Sequence, residues 1–156
     1  MGPPAIKIFL DSNVILSGLL SDRGAPRVIL DLLCLELPFL RGATGAYNLL
    51  EIERNIGKRL PGGLEVFRSC LPRLRLEIVP LPSRQTVESF LPLIAAKDAP
   101  VLAAATQWGA DFLVTGDKRD FEQLKGDPRI SLSIIHPAEL IRILGQRMAE
   151  EPDMEE

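Results

Sequence analysis

The apolar residues of this chain come in short unbroken runs that alternate with longer stretches of helical period. The runs cover residues 5–10 (AIKIFL), 38–41 (PFLR), 76–81 (LEIVPL), 112–116 (FLVTG) and 130–136 (ISLSIIH). Each has the length of a strand, and Lys7 is the only charge in the first. Between them, residues 12–20, 25–37, 44–60, 62–74, 84–94, 98–109 and 137–148 read as helices. Pro26 and Pro137 stand in the first turns of theirs. Thr44 is placed to cap the helix 44–60, in which Leu49, Ile52, Ile56 and Leu60 recur at helical spacing.

Strands that alternate with helices imply right-handed crossovers and a parallel sheet covered on both faces. Continuous apolar runs suit strands buried on both sides. The pattern predicts an α/β fold, a three-layer α/β/α sandwich around a central five-stranded parallel sheet. It predicts one domain over residues 1–148 and a disordered acidic tail at 149–156, most of it the stretch EEPDMEE.

Composition agrees with a globular domain, at 46% hydrophobic and 25% charged residues in 156. The net charge of −3 hides an asymmetry, because five of the 21 acids lie in the last seven residues. Residues 1–149 hold 18 bases against 16 acids, so charge neither favours nor excludes a polyanionic substrate. Cys34 and Cys70 lack metal-type spacing and read as buried free thiols of a reducing compartment. No run is long enough to span a membrane, and the N-terminus lacks the features of a signal peptide, so a cytoplasmic protein without membrane contact is expected.

The acids carry the chemistry. Ligands of open parallel sheets bind outside the carboxyl ends of the strands. Asp11 follows the first strand and Asp117 follows the strand 112–116, so both lie at that edge. Asp111 precedes its strand and reads as a turn residue of the opposite edge. Asp98 opens a helix with Pro in its first turn, which fits a cap, and it is also in line with Val101 and Ala105 on the inward stripe. On the helix 44–60, Glu51 and Glu53 compete, and a helical wheel sets Glu53 nearer the apolar stripe. Like charges about 4 Å apart cost about 4 kcal/mol per pair at an effective dielectric near 20, so a converging set needs protons or a cation. Oxygen-only donors select Mg²⁺ or Mn²⁺ over zinc.

Five motifs in order, IFLDSNVILSGLL, LLEIERNI, KDAPVLAAA, GADFLVTGDKRDF and HPAEL, are similar to those of the PIN domain, a family of metal-dependent ribonucleases. The likeness covers residues 5–144. It implies a site for one or two divalent ions held by Asp11, Glu51, Asp98 and Asp117. The family pattern favours Glu51 over Glu53, because the acid is followed by aliphatics at 52 and 56. Asn13 and Thr115 match supporting polar positions, and Asp120 lies one turn beyond Asp117 where it can assist. The implied activity is hydrolysis of single-stranded RNA, with Lys118, Arg119 and Arg54 as candidate phosphate contacts. Lys58 and Arg59 extend the Arg54 strip, and solvated surface charge is the plainer reading of all five. Family members in bacteria often pair with an antitoxin, so a toxin role and an antitoxin partner are expected.

Two other readings remain at this point. A haloacid-dehalogenase-like phosphatase also starts on a strand ending in Asp and has an acid pair like Asp117 and Asp120, but it needs an acid where Asn13 stands. A non-catalytic metal- and RNA-binding protein is the other. Tyr47 is the one candidate for base stacking, and Trp108 reads as core. The lone His136 reads as a turn residue before Pro137. The apolar helices 12–20 and 25–37 suggest a homodimer face.

Overall fold

In the computed structural model, which describes residues 4–124 and 126–150, the strand β1 (Ile6–Leu10) runs through the middle of the sheet. Ile8, Phe9 and Leu10 are wholly buried, as a central parallel strand requires. Side chains alternate across a strand, so Ile8 and Leu10 enter one core and Phe9 the other.

The remaining strands are β2 (Leu40–Gly45), β3 (Glu77–Val79), β4 (Phe112–Val114) and β5 (Ser133–Ile135). They form one five-stranded sheet in the order β3-β2-β1-β4-β5, and every pairing is parallel. The chain thus winds outward from β1 in two directions. The reversal between β2 and β4 leaves a crevice at the carboxyl ends of β1 and β4, where ligands of such sheets bind.

Helices α1 (Ser12–Leu20), α2 (Ala25–Cys34), α3 (Ala46–Arg59), α4 (Gly63–Cys70) and α7 (Pro137–Glu150) supply the first core with Val14, Ile15, Ile29, Ile52, Phe67 and Leu140. Across the sheet, α6 (Ala99–Trp108) lays Val101, Leu102, Ala104 and Ala105 against Phe9, Ala43 and Leu113. The short α5 (Arg84–Phe90) packs beside it, its start capped by the Ser83 hydroxyl, which accepts from the Thr86 amide.

Several local expectations change. β2 is not PFLR but LRGATG, because Gly42, Ala43 and Thr44 are the small residues that fit under the helices. Thr44 is therefore a strand residue and no cap; its hydroxyl donates to the Leu10 carbonyl at 2.8 Å, and Gly45 precedes α3. α7 extends through Glu150, and the rest of the acidic tail lies outside the described residues. Cys34 is exposed and Cys70 half-buried, both free. Trp108 is half-buried at the amino edge of the sheet. There its indole lies 4.3 Å from the Lys7 ammonium and donates to Glu77 at 3.4 Å. Asp111 is a turn residue of that edge, accepting from the Lys7 amide at 2.8 Å. Among the described residues, no helix is long and apolar enough to cross a membrane.

The pair α1 and α2 approaches closely at Gly18. A Cβ there would stand 2.5 Å from Leu30 Cδ1 and 3.0 Å from the Pro26 carbonyl oxygen. Leu30 is buried and the carbonyl belongs to the backbone, so neither yields easily. Gly18→Val is expected to destabilise the protein by about 1–3 kcal/mol, more than the gain in helix propensity returns. Urea unfolding will read this as a lower midpoint at unchanged slope. An unchanged midpoint would show that the two helices separate freely here.

Candidate functional site

The register of β1 with β4 aligns Leu10 with Val114, so Asp11 and Thr115 leave the sheet side by side. The Asp11 amide donates to the Val114 carbonyl at 3.0 Å. Asp11 is also the residue before α1, and its Oδ1 accepts from the Ser12 amide at 2.8 Å. The Thr115 hydroxyl donates to Oδ2 at 2.9 Å, and the Asn48 amide group donates to Oδ1 at 3.2 Å. Only 9% of Asp11 is exposed. That burial pushes its carboxyl above the usual range, opposed by the bonds from Thr115 and Ser12 and assisted by Glu51 and Asp117.

Glu51 reaches the same place from α3. The buried face of that helix is Asn48, Ile52 and Ile56, while Leu60 is exposed. A wheel centred on Leu49 and Leu60 is therefore turned by about half a position, which is why it favours Glu53. Glu51 lies three residues after Asn48 and shares its face. The Ser12 hydroxyl donates to Glu51 Oε1 at 3.2 Å. Glu53 instead points toward Arg68 of α4, 3.8 Å away.

Asp98 stands where a cap of α6 belongs, yet its side chain makes no capping bond. Its Oδ2 is buried without a hydrogen-bond partner. Burial raises its pKa, against the pull of Lys97, and Asp120, Asp11 and Asp117 add to the rise. Asp117 is exposed, and its amide donates to the Thr115 hydroxyl at 3.1 Å. Asn13 ties down the turn between, its Oδ1 accepting from the Gly116 amide at 2.9 Å and its Nδ2 donating to Thr115 Oγ1 at 3.4 Å. A hydrogen bond with Asp120 raises the Asp117 carboxyl, while Lys97, at 2.8 Å, lowers that of Asp120.

Asp11, Glu51, Asp98, Asp117 and Asp120 thus line one cavity of about 210 Å³. Among the described residues no three of them close on a common point as a finished metal cage. The donors nevertheless fit a hard divalent cation. They are all oxygen, they repel one another, and one buried carboxylate oxygen lacks any donor.

Arg54 and Arg119 fall elsewhere. Arg54 is exposed on α3 and does not line the cavity. Arg119 lines a separate hollow beside β5, near enough to Asp117 and Asp120 to lower both. The side chain of Lys118 lies outside what the structure describes. Tyr47 is half-buried against the core under α6 and does not line the cavity; burial, then Glu51 and Asp98, raise its hydroxyl pKa. His136 is exposed, and its carbonyl accepts from the first amides of α7. Sequence reasoning missed Ser12, Asn48 and Lys97. Asn48 carried a signal, a polar residue one turn before Ile52 on the buried stripe. Lys97 stood beside Asp98 in KDAP, but nothing in the spacing aimed it at the cavity.

A family model described as PIN domain matches residues 7–119. No curated protein matches the chain. Among solved structures, FitAcB from Neisseria gonorrhoeae is similar at 23% identity and a TM-score of 0.60, over 84% of this chain and 98% of that one. The DNA-bound VapBC from Salmonella typhimurium is similar at 19% identity and a TM-score of 0.62, over 85% and 98%. A toxin–antitoxin complex from Klebsiella pneumoniae is similar at 21% and 0.58, over 83% and 97%. At these identities the likeness is one of fold.

Folding takes up a proton at Asp98, because the folded pKa lies above the usual 3.8. The stability this group contributes is full below that value and is lost as pH rises through the folded pKa. Asp98→Asn removes the loss. In EDTA at pH 7 its unfolding midpoint is expected to lie above that of the wild type. The advantage should close as pH falls toward 3.8. A midpoint at pH 7 no higher than that of the wild type overturns this account.

Proposed function

The chain belongs to the PIN-domain family, a family of nucleases, and from that premise we propose that it is a Mg²⁺- or Mn²⁺-dependent endoribonuclease cutting single-stranded RNA. The observation that carries the reading is the convergence on a single cavity of four acids, from the ends of β1 and β4, the start of α6 and the middle of α3. Asp11, Asp98 and Asp117 would hold the ion, with Glu51 as a further ligand or as the group that orients the attacking water. A divalent ion bound there supplies Lewis acidity toward water and toward a phosphodiester.

The chain's own residues set up that chemistry. Thr115, Asn48 and the Ser12 amide hold Asp11 in one orientation, so its carboxylate needs little ordering on binding. Ser12 donates to Glu51, whose carboxylate would accept a proton from the attacking water. Asn13 fixes the turn that carries Asp117. Asp98 offers an oxygen with no hydrogen-bond partner. The phosphatase alternative loses ground to the family match, and Asn13 spends its side chain on Gly116 and Thr115.

A second chain belongs to the reading. One similar solved structure is a toxin–antitoxin complex. The apolar residues of α1 and α2 that suggested a homodimer face wall a groove of about 610 Å³, closed on its other side by α3 and α4. Leu20, Leu60 and Val66 stay exposed there. We assign this groove to an apolar helix of an antitoxin, and the toxin role rests on it.

End-labelled single-stranded RNA should be cut in Mn²⁺ or Mg²⁺ and left intact in EDTA. Asp11→Asn and Asp117→Asn should each lose at least about 100-fold. A phosphomonoester, run in parallel, should survive. Cutting that persists in EDTA or in both variants would remove the proposed site. Phosphomonoester turnover without RNA cutting would restore the phosphatase. Folded protein inert on both would leave a binding role.

A further inference from the structure

The acid cavity has a difficulty as a nuclease site. Five carboxylates line it, and its substrate is a chain of phosphates. A bound ion offsets part of the repulsion, but the approaching backbone meets the rim before it meets the ion. Some positive charge at the rim is needed, and Arg54 and Arg119 do not line the cavity. Among the described residues, the one basic side chain that lines it is Lys97.

Lys97 is the residue before Asp98, on the connection into α6. Its side chain is 66% exposed, so its charge faces solvent, yet it is not loose. The ammonium donates to Asp120 Oδ2 at 2.8 Å and stands 4.0 Å from Asp98 Oδ2. Asp120 is also tied to the turn of Asp117, its amide donating to the Asp117 carbonyl at 3.2 Å. Asp120 therefore joins the turn that carries the exposed acid to the cation at its rim. Ion pairs this exposed add little to stability, so holding the fold together does not account for it. What the pair does is fix a cation beside the acids, at a place a backbone phosphate must pass.

We propose that Lys97 is the substrate-phosphate anchor of this site and that Asp120 is its positioning residue rather than a metal ligand. The inference rests on the nuclease reading above. An RNA phosphate takes the face of the ammonium that Asp120 leaves open. This sets the neighbouring phosphodiester over the acids. Asp120 takes the hydrogen bond of the lysine, so the Asp98 oxygen 4.0 Å from the ammonium stays without a hydrogen-bond donor and available for the ion.

The test uses the full chain, Mn²⁺ and a short end-labelled single-stranded RNA. Variants are compared by steady-state cleavage at several salt concentrations. Mn²⁺ affinity is read separately, on the protein alone, from the paramagnetic signal of the free ion. Lys97→Met should raise KM roughly three- to tenfold and flatten the salt dependence of log KM by about 0.7, the share of one phosphate contact on a single strand. The loss should fall on KM rather than kcat, and Lys97→Arg should restore it. Asp120→Asn should raise KM in the same direction and keep Mn²⁺ affinity within about twofold. Asp117→Asn should lose at least about tenfold in Mn²⁺ affinity. Lys97→Gln replaces Lys97→Met if the latter fails to melt cooperatively.

Wild-type KM and salt slope in Lys97→Met, in an enzyme that cuts RNA, overturn the inference and leave the nuclease standing. Loss of Mn²⁺ binding in Asp120→Asn to the extent seen in Asp117→Asn makes Asp120 a ligand and overturns its positioning role. A wild type that neither binds Mn²⁺ nor cuts RNA overturns the nuclease itself and the anchor with it.

Discussion

One buried carboxylate governs the carboxyl edge of this sheet. Asp11 is almost fully enclosed, and an enclosed anion without donors costs several kcal/mol. Three donors answer it, one each from the start of α1, from α3 and from the end of β4. Each donor pins the element it comes from. Thr115 aligns the strand end that carries Asp117, and Asn48 rotates α3 so that Glu51 faces inward. The site is assembled by satisfying one group, and the other acids arrive with the elements that satisfy it.

That arrangement needs small residues around it. A Cβ at Gly45 would stand 2.8 Å from Asn48 Oδ1 and 3.3 Å from Phe9, so the start of α3 is glycine to let Asn48 lie flat against the sheet. Ala99, Ala103, Ala104 and Ala105 are buried on α6 and bring that helix close to the strands, with Asp98 at its head. The acids themselves resist folding, since burial raises both Asp11 and Asp98. The two apolar cores either side of the sheet offset this. The candidate site occupies the places where the fold is least comfortable.

Asp11 and Asp117 were legible as edge acids because a parallel sheet puts every strand's carboxyl end on one side, and the strands themselves are read from apolar runs. Glu51 was less legible. Its helix has an apolar stripe that is wider than its buried face, and only Asn48, a polar residue in a buried position, marks where the face lies. Asp98 had two readings because the residue before a helix can serve its amides or something else. Its missing capping bond decides between them. β2 was misplaced because Gly42 to Gly45 carry no apolar signal, although the tightest part of the sheet needs their small size.

The sequence by itself determined the α/β alternation, the parallel sheet and the edge at which a site must lie, because these follow from periodicities a few residues long. It also supplied motifs specific enough to point to the family. Only the tertiary structure decided which side chains meet. Ser12, Asn48 and Lys97 take their roles from partners distant in sequence, as in the Ser12 bond to Glu51, 39 residues away. Local spacing carries no information about such contacts. The packing of β1 between β2 and β4 creates them, and with them the cavity in which the acids act on one another.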